Sequence, residues 1–304
     1  MSTLISLCLC TFKRNSVIDT LQSLSQLTLP KGVEVEIVVV DNCENGSGRE
    51  RVNRFAETCR WPLTYHVEPR KNICHARNAC IRYARGEWLT FVDDDEVAQS
   101  DWLAHLYETA ITYEASVVMG AVKAHYPDSC PEWIVQGDYF NRAMPKRGTQ
   151  IDVGATNNVL IRVSDLPAGD RSFDPSFGIT GGGDTELFNR MYRLGKKIVT
   201  CPEAIVEEVV EDKRLTRQYL LRRSVRIGEV YGRIFFPQKW SLSGVYQLCK
   251  ASLALAVATA AVPVLKLINE QRSFQYQMKQ RASLGKVRYF FNVPQIEIYG
   301  KHKE

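Results

Sequence analysis

The sequence predicts an α/β fold in which helices flank a mostly parallel sheet. Nearly continuous apolar strands alternate with segments of helical periodicity over residues 4–93, which is typical of a parallel sheet buried on both faces. Right-handed crossovers place the intervening helices over those faces. With 304 residues, 45% of them hydrophobic and 24% charged, the chain can form a substantial core in one large or two modest domains.

The elements follow from the periodicity in chain order. Apolar, β-rich segments predict strands at residues 4–10, 34–40, 63–67, 116–120 and 156–163, and a further strand that ends at residue 93. Amphipathic periodicity predicts helices at residues 17–27, 49–59, 74–84, 102–112 and 185–194. A glycine-rich loop at residues 173–183 leads into the last of these helices.

Residues 125–150 show no clear periodicity and contain three prolines. Trp133, Tyr139 and Phe140 within this segment are expected to be exposed. Because long segments without regular structure in compact domains are usually functional, we predict an acceptor-side loop here. A peripheral hairpin is the alternative.

Three predicted strands end in polar residues, namely Cys10-Thr11, Asp41-Asn42 and Asp93-Asp94-Asp95. The carboxyl ends of parallel strands lie at one edge of a sheet, so these groups should meet in one crevice. Asp93 and Asp95 are two residues apart and would point to the same side of an extended backbone. Hard cations such as Mg²⁺ and Mn²⁺ prefer carboxylate oxygens and keep positions for substrate phosphates. The alternative is a solvated acidic turn or helix start.

On these residues the chain resembles the family 2 inverting glycosyltransferases, which have the GT-A fold with a Rossmann-like sheet. The resemblance covers about residues 4–212. The matching segments, in the family's order, are Thr11-Phe12-Lys13-Arg14, Val39-Val40-Asp41-Asn42, Ala76-Arg77-Asn78, Asp93-Asp94-Asp95, Phe173-Asp174-Pro175 and Gly181-Gly182-Gly183-Asp184. Within the family the chain looks most like bacterial exopolysaccharide glucosyltransferases of the succinoglycan-assembly type.

The resemblance implies a role for each matching residue. Nucleotide or donor contacts would fall to Thr11, Arg14, Asp41, Arg77, Asp93 and Asp94. Asp93 and Asp95 would hold Mn²⁺ or Mg²⁺ on the diphosphate of a UDP-sugar. Asp184 would be the general base that deprotonates the acceptor hydroxyl, although an Asp at a helix start is also a common N-cap.

The sequence departs from the family pattern in places. Gly183 stands where members of the family often have an acidic residue before the base, here Asp184. Residues 204–208 lack the histidine that the family often has after a strand in this part of the chain. The Gln-x-x-Arg-Trp signature of processive synthases is absent. We therefore expect one sugar addition per binding event.

The implied function is the inverting transfer of a hexose, with glucose as the first choice, from a UDP-sugar to a lipid-linked oligosaccharide or other glycan acceptor. It would serve exopolysaccharide or cell-surface glycan synthesis. A sugar nucleotidyltransferase is the rival enzyme, but its glycine-rich phosphate loop is missing from Cys10-Thr11-Phe12-Lys13-Arg14. The other alternative is a lipid- or partner-binding module with a degenerate catalytic domain.

Residues 213–304 are predicted to form a basic helical region after a catalytic domain of residues 1–212. An apolar stretch at residues 251–265 contains Pro263 and lies between Lys250 and Lys266, so it is shorter than the roughly 20 residues of a spanning helix. We expect a helix that lies on or dips into the membrane, with its cations on anionic lipid. A buried helical hairpin is the alternative.

The remaining sequence features concern location. The N-terminus lacks the layout of a secretory signal. The nine cysteines show no CxxC pair and no zinc-like spacing with histidine. We therefore expect the enzyme at the cytoplasmic face of the inner membrane and expect no nucleic-acid partner.

Overall fold

A computed structural model of the chain describes residues 2–236 and 238–297. The chain divides into two compact units. The first comprises Met1–His125, Phe140–Ile179 and Gly183–Val209, and the second comprises Tyr126–Tyr139, Thr180–Gly182 and Val210–Glu304. The functional boundary placed after residue 212 stays a prediction.

Strands and helices alternate along the first half of the chain. The strands are β1 (Thr3–Thr11), β2 (Val33–Asp41), β3 (Leu63–Val67), β4 (Trp88–Val92), β5 (Glu96–Ala98), β6 (Val117–His125), β7 (Asn158–Arg162) and β8 (Ile198–Val209). The helices are α1 (Val17–Ser25), α2 (Arg49–Ala56), α3 (Ile73–Tyr83), α4 (Trp102–Thr112), α5 (Glu132–Gly137), α6 (Gly183–Arg193), α7 (Arg217–Phe235), α8 (Leu242–Ile268) and α9 (Glu270–Phe290).

One eight-stranded sheet organises the first unit within the described residues, in the order β3-β2-β1-β4-β7-β6-β8-β5. The β1–β2, β2–β3, β1–β4 and β6–β8 pairs are parallel, while β7 is antiparallel to both β4 and β6, and β5 is antiparallel to β8. This confirms the predicted α/β fold with a mostly parallel sheet. The apolar side chains of β1 and β2 are buried, as expected for strands covered on both faces.

The structure differs from the sequence expectation in the middle of the chain. The short strand β5 directly follows the acidic triplet and was not predicted. The irregular segment contains helix α5, and Phe140, expected to be exposed, is 6% exposed. Short elements of this kind depend on partners distant in sequence, which local periodicity does not report.

Asn158 is a buried polar anchor for the sheet. Its Oδ1 accepts a hydrogen bond of 2.8 Å from Trp102 Nε1, and its Nδ2 donates to the carbonyls of Ala121 and Ala204 at 2.7 and 2.8 Å. Because Asn158 has no exposed surface, its hydrogen bonds serve the fold.

We expect Asn158→Ala to lower the free energy of unfolding by about 3 kcal/mol, because it leaves buried donors and acceptors without partners. Urea denaturation followed by circular dichroism would measure this loss. Asn53→Ala, at an exposed position of α2, is the control and should change stability by less than about 0.5 kcal/mol. A loss of that small size in Asn158→Ala would contradict the anchoring role.

The second unit contains the helices α5, α7, α8 and α9. Helix α8 has 27 residues and includes Pro263. An 18-residue window of it has a mean hydropathy of 2.0 and is only 11% buried. In length and composition, α8 is thus the helix of the described residues that could cross a membrane. The helix is longer than the apolar stretch of residues 251–265, because it continues through Lys250 at one end and Lys266 at the other.

Candidate active site

The site forms at the carboxyl edge of the strands β1, β2 and β4. In the parallel β1–β2 pair, Thr11 lies directly opposite Asp41. Because β4 pairs with the other side of β1, the acidic triplet after Val92 emerges at the same edge. The polar ends of three neighbouring strands are therefore brought together, as ligand sites of open α/β sheets require.

The loop after β1 contacts the acidic triplet directly. Thr11 Oγ1 donates a 2.7 Å hydrogen bond to Asp94 Oδ2. Arg14 Nη1 lies 3.2 Å from Asp94 Oδ1 and also donates to Asp95 Oδ2. Lys13 between them has a positive φ of 54°, a turn that brings Arg14 back towards the acids. Thr11, Arg14, Asp94 and Asp95 therefore form one polar cluster.

Burial makes negative charge on the acidic triplet costly, and Arg14 and Arg77 offset this cost only in part. It raises the pKa of Asp94 to about 6, although Arg14 and the Thr11 hydroxyl oppose the shift. Burial also raises the pKa of Asp93, with Arg77 opposing and Asp95 reinforcing the shift. Asp93 keeps some exposed surface but is closely surrounded by protein atoms. A cation in the crevice would relieve this charge.

The carboxylates suit a divalent ion whose remaining ligands come from substrate. Among the described residues, no three His, Cys, Asp or Glu side chains converge into a complete metal cage. Mg²⁺ and comparable hard ions are usually held by one or two carboxylates together with waters and substrate phosphates. Asp93 and Asp95 offer such oxygens, and Arg14 already occupies a cationic position beside Asp95. The donor set therefore fits Mn²⁺ or Mg²⁺ bound with a diphosphate.

A buried chain of hydrogen bonds holds the backbone at the start of the acidic triplet. Glu96 is 1% exposed, and its Oε2 accepts from the backbone N–H of Asp93 at 2.9 Å. Its Oε1 accepts from Asn157 Nδ2 at 2.8 Å, and Asn157 Oδ1 accepts in turn from Arg142 Nη2. The chain fixes the backbone of Asp93 through residues on two other segments.

Arg142 carries its charge inside a group of carboxylates. Burial lowers the pKa of its guanidinium, and the charges of Glu96, Asp184, Asp93 and Glu208 oppose that shift. The charges of Asp93 and Asp184 therefore both act on the guanidinium of Arg142. Sequence reasoning missed Arg142, because it lies in the segment without periodicity. Glu96 was visible as the fourth acid of the run 93–96.

Asp41 orders the loop that follows β2. Its carboxylate accepts hydrogen bonds from the backbone N–H groups of Cys43 and Gly48 at 2.8 and 2.7 Å. It also accepts from the hydroxyl of Tyr65 at 2.7 Å. Burial and this bond raise the pKa of Tyr65, which stays a hydrogen-bond donor. Asp41 has no exposed surface, so in this conformation it shapes the crevice wall.

Helix α3 carries two residues, Arg77 and Asn78, that contact Phe173 in the loop before α6. Arg77 lies 5.7 Å above the ring of Phe173 and lowers the pKa of Asp93 by its charge. Asn78 exchanges two hydrogen bonds with the backbone of Phe173, at 2.8 and 2.9 Å. The matching segment Ala76-Arg77-Asn78 therefore fixes the loop that leads towards α6.

Asp184 is the second residue of α6 and is half-buried. Its Oδ1 accepts a 2.8 Å hydrogen bond from the adjacent Thr185 N–H, whereas an N-cap would precede the helix and bond two or three residues ahead. A negative charge in the first turn is favourable to the helix. The charge of Asp184 also acts on the guanidinium of Arg142 and opposes the lowering of its pKa.

The structure explains why glycine precedes Asp184. A Cβ atom at Gly183 would lie 2.7 Å from the sulfur of Cys74, which is fully buried in α3. Any side chain at this position would require the buried Cys74 side chain to move. Asp184 therefore has glycine where the resemblance would often place an acidic neighbour.

Three comparisons relate the chain to known proteins. The family profile "Glycosyl transferase family 2" matches residues 6–169. Succinoglycan biosynthesis protein ExoM of Rhizobium meliloti (strain 1021) is 31% identical over 291 residues, which cover 96% of this chain and 94% of the relative.

Two solved structures share the fold. The mannosyltransferase PcManGT from Pyrobaculum calidifontis, in complex with GDP-Man and Mn²⁺, matches with a TM-score of 0.64 and 17% identity over 96% of this chain and 88% of its own. S. aureus TarS 1-349 in complex with UDP-GlcNAc matches with a TM-score of 0.54 and 15% identity over 96% and 92%. At these identities the likeness concerns the fold alone. Together with the profile match and the relative of 31% identity, it establishes that the chain belongs to glycosyl transferase family 2 and has the GT-A fold.

Proposed function

We propose that the protein transfers one hexose, glucose in the first instance, from a UDP-sugar to a lipid-linked oligosaccharide during exopolysaccharide assembly. One observation carries the proposal: the polar ends of β1, β2 and β4 meet at one sheet edge, where Thr11 Oγ1 donates a 2.7 Å hydrogen bond to Asp94 of the acidic triplet. The charges of Asp93 and Asp184 both act on the buried guanidinium of Arg142, which supports a diphosphate site and a general base in one crevice. The relative of 31% identity, whose name assigns it to succinoglycan biosynthesis, supports a role in exopolysaccharide assembly.

The donor would lie in the crevice at the ends of β1, β2 and β4. We assign the nucleotide to the walls formed by Thr11, the Arg14 loop and the loop ordered by Asp41, with Arg77 beside it. Asp93 and Asp95 would hold the divalent ion, and Asp94 would fix the Arg14 loop against the donor. When bound, the ion would supply Lewis-acid stabilisation of the departing diphosphate.

Asp184 would act on the acceptor. An acceptor hydroxyl is a weak nucleophile, so a positioned carboxylate must accept its proton as the glycosidic bond forms. The hydroxyl oxygen attacks the anomeric carbon, the bond to the UDP oxygen breaks, and the proton passes to Asp184. One such displacement inverts the anomeric centre, so an α-linked donor gives a β-linked product.

Release of UDP tests the proposal. The protein is incubated with Mn²⁺, a membrane lipid extract and, in turn, UDP-glucose, UDP-galactose and their N-acetyl forms. We expect acceptor-dependent UDP release that is greatest with UDP-glucose and that stops in EDTA. Pyrophosphate-dependent exchange of label would identify a nucleotidyltransferase instead, and neither reaction would indicate a binding module.

Helix α8 would associate with the membrane. The exposed side chains of this helix include Leu253 (67% exposed) and Val257 (56% exposed), which are one turn apart. Moving apolar surface of this kind from water into lipid lowers the free energy. Helix α7, which precedes α8 in the sequence, contains several arginines that would attract anionic lipid headgroups.

The double variant Leu253→Asp, Val257→Asp is expected to lower binding to anionic vesicles at least about ten-fold. Each of the two apolar side chains would contribute roughly 1.5–3 kcal/mol to the free energy of binding when it is buried in lipid. Co-sedimentation with phosphatidylcholine vesicles, with and without phosphatidylglycerol, measures this. Leu194→Asp with Ile111→Asp, both exposed in the first unit, is the control and should bind normally. Equal binding of both double variants would contradict the role of α8.

A further inference from the structure

Asn72 precedes helix α3 and is bonded to three parts of the first unit. Its backbone N–H donates a 2.9 Å hydrogen bond to Oδ1 of Asn42, the residue that follows strand β2. Its own Oδ1 accepts from the backbone N–H groups of Cys74 and His75, at 2.9 and 3.2 Å, and so caps α3. Its Nδ2 donates a 2.8 Å hydrogen bond to the carbonyl of Pro175, 103 residues further along the chain.

Asn42 fixes the segment of Asn72 to the sheet edge that forms the crevice. Asn42 is 7% exposed, and its Nδ2 donates to the backbone carbonyls of Glu68 and Arg70 at 2.8 and 2.7 Å. It directly follows Asp41, whose carboxylate orders the loop that would contact the nucleotide. Asn72 is therefore held at a fixed place on the donor side of the crevice.

The turn that is bonded to Asn72 contacts the start of α6. This turn, Pro175–Phe177, is a short 3-10 helix, and its last residue, Phe177, is buried. A Cβ atom at Gly183 would lie 3.5 Å from the Cβ of Phe177, which is an ordinary contact distance. Gly183 is the first residue of α6 and precedes Asp184. The hydrogen bond from Asn72 therefore acts on the turn that packs beside the proposed base.

Gly178, the residue after this turn, leaves room for the side chain of Asn72. Its φ of −70° is one that any residue adopts, so the backbone does not require glycine here. A Cβ atom at Gly178 would overlap the side-chain amide of Asn72, whose oxygen and nitrogen both make the hydrogen bonds given above. The amide of Asn72 and the missing side chain of Gly178 are therefore matched to each other.

We propose that Asn72 is a positioning residue: through its hydrogen bond to Pro175 it sets the place of Asp184 relative to the nucleotide side of the crevice. The role of Asp184 as base rests on the proposed glycosyl transfer. The bond needs an amide, because one side chain must both accept from the helix N–H groups and donate to a carbonyl. A carboxylate could cap α3 but would place an acceptor against the Pro175 carbonyl.

Asn72→Asp removes the donor to Pro175 and keeps an oxygen for the cap of α3. Steady-state UDP release, with UDP-glucose, Mn²⁺ and saturating acceptor, gives kcat, and calorimetry gives the affinity for UDP. We expect kcat to fall at least about ten-fold with UDP affinity nearly unchanged, since a 1 Å misplacement of a reacting group can cost about 100-fold. The control is Asn53→Asp, the same change at an exposed position of α2, which should keep the wild-type kcat.

Gly178→Ala disturbs the same contact from the other side. Its added methyl group displaces the Asn72 amide, so kcat should again fall at least about ten-fold. Adding Asn72→Ser to this variant removes the overlap and keeps a capping oxygen, so the double variant should turn over faster than Gly178→Ala. A double variant no faster than Gly178→Ala would overturn the proposal, as would a wild-type kcat in Asn72→Asp.

Hydrogen exchange followed by mass spectrometry, without metal or nucleotide, separates this role from the proposed reaction. The N–H groups of Phe177 and Gly178 donate to the carbonyls of Asp174 and Pro175 at 3.1 and 3.0 Å, so exchange at residues 173–178 reports on the turn. We expect exchange there to be several-fold faster in Asn72→Asp than in the wild type. Unchanged exchange would overturn the proposal. Faster exchange in a protein that transfers no sugar from any UDP-sugar would support the bond to the turn while the proposed reaction fails.

Discussion

Asp184→Asn is expected to keep the affinity for UDP-sugar and to lose turnover by about 10²–10⁴-fold, the range that a positioned general base contributes. The amide matches the carboxylate in size and can still accept from the Thr185 N–H, so α6 should keep its first turn. It cannot take the proton of an acceptor hydroxyl. Steady-state UDP release with saturating acceptor, together with calorimetric binding of UDP-glucose, separates kcat from donor affinity.

The control for this variant is Asp170→Asn. The Asp170 side chain is 40% exposed and forms a surface ion pair with Arg82 at 2.9 Å, a kind of contact that contributes little to stability. Its kcat should equal that of the wild type. Normal turnover of Asp184→Asn would show that the base lies elsewhere.

Asp95→Ala is expected to abolish the dependence of donor binding on Mn²⁺. Replacing even an outer-shell partner of a metal ligand usually costs 10–100-fold in metal affinity, so the loss of a direct ligand should cost at least about 100-fold. Arg14 keeps its contact with Asp94 in this variant, and the loop after β1 should stay folded. Titration of UDP-glucose by calorimetry, in Mn²⁺ and in EDTA, measures the effect.

Asp101→Ala provides the comparison for Asp95→Ala. The Asp101 side chain is 58% exposed and contacts His105 one turn along α4. Donor binding by this variant should respond to Mn²⁺ as in the wild type. A wild-type response by Asp95→Ala would remove Asp95 from the metal site.

Much of the first unit could be predicted because its information is local. The strands β1 and β2 are nearly continuous apolar runs, and the residues that end them are polar, so both the strand and its exit are visible in the sequence. Parallel pairing then brings the ends together without further information. This is why Thr11 and the acidic triplet were expected to meet, as the bond from Thr11 to Asp94 confirms.

The rest depends on contacts between distant segments. Arg142 acquires its environment from residues 96, 157, 184 and 208, and no spacing in the sequence announces such a group. Asp41 resembles a free ligand in the sequence but is saturated by Cys43, Gly48 and Tyr65 in the structure. The full length of α8 was not visible in the sequence for a simpler reason. The lysines that bound the apolar run and the proline inside it need not end a helix.

Helices α7 and α9 cross with their backbones in contact, because glycines stand at the crossing. A Cβ atom at Gly228 would lie 1.9 Å from the carbonyl oxygen of Ala282, and one at Gly285 would lie 2.0 Å from that of Val225. Beside the crossing, buried Glu229 pairs with Arg288 at 2.7 Å and accepts from the Ile296 N–H. A single added methyl group would wedge the two helices apart and detach the chain end that Glu229 holds. The crossing therefore tolerates no side chain at either glycine. Substitutions at these two positions would separate the helices, whereas exposed positions nearby could change without this effect.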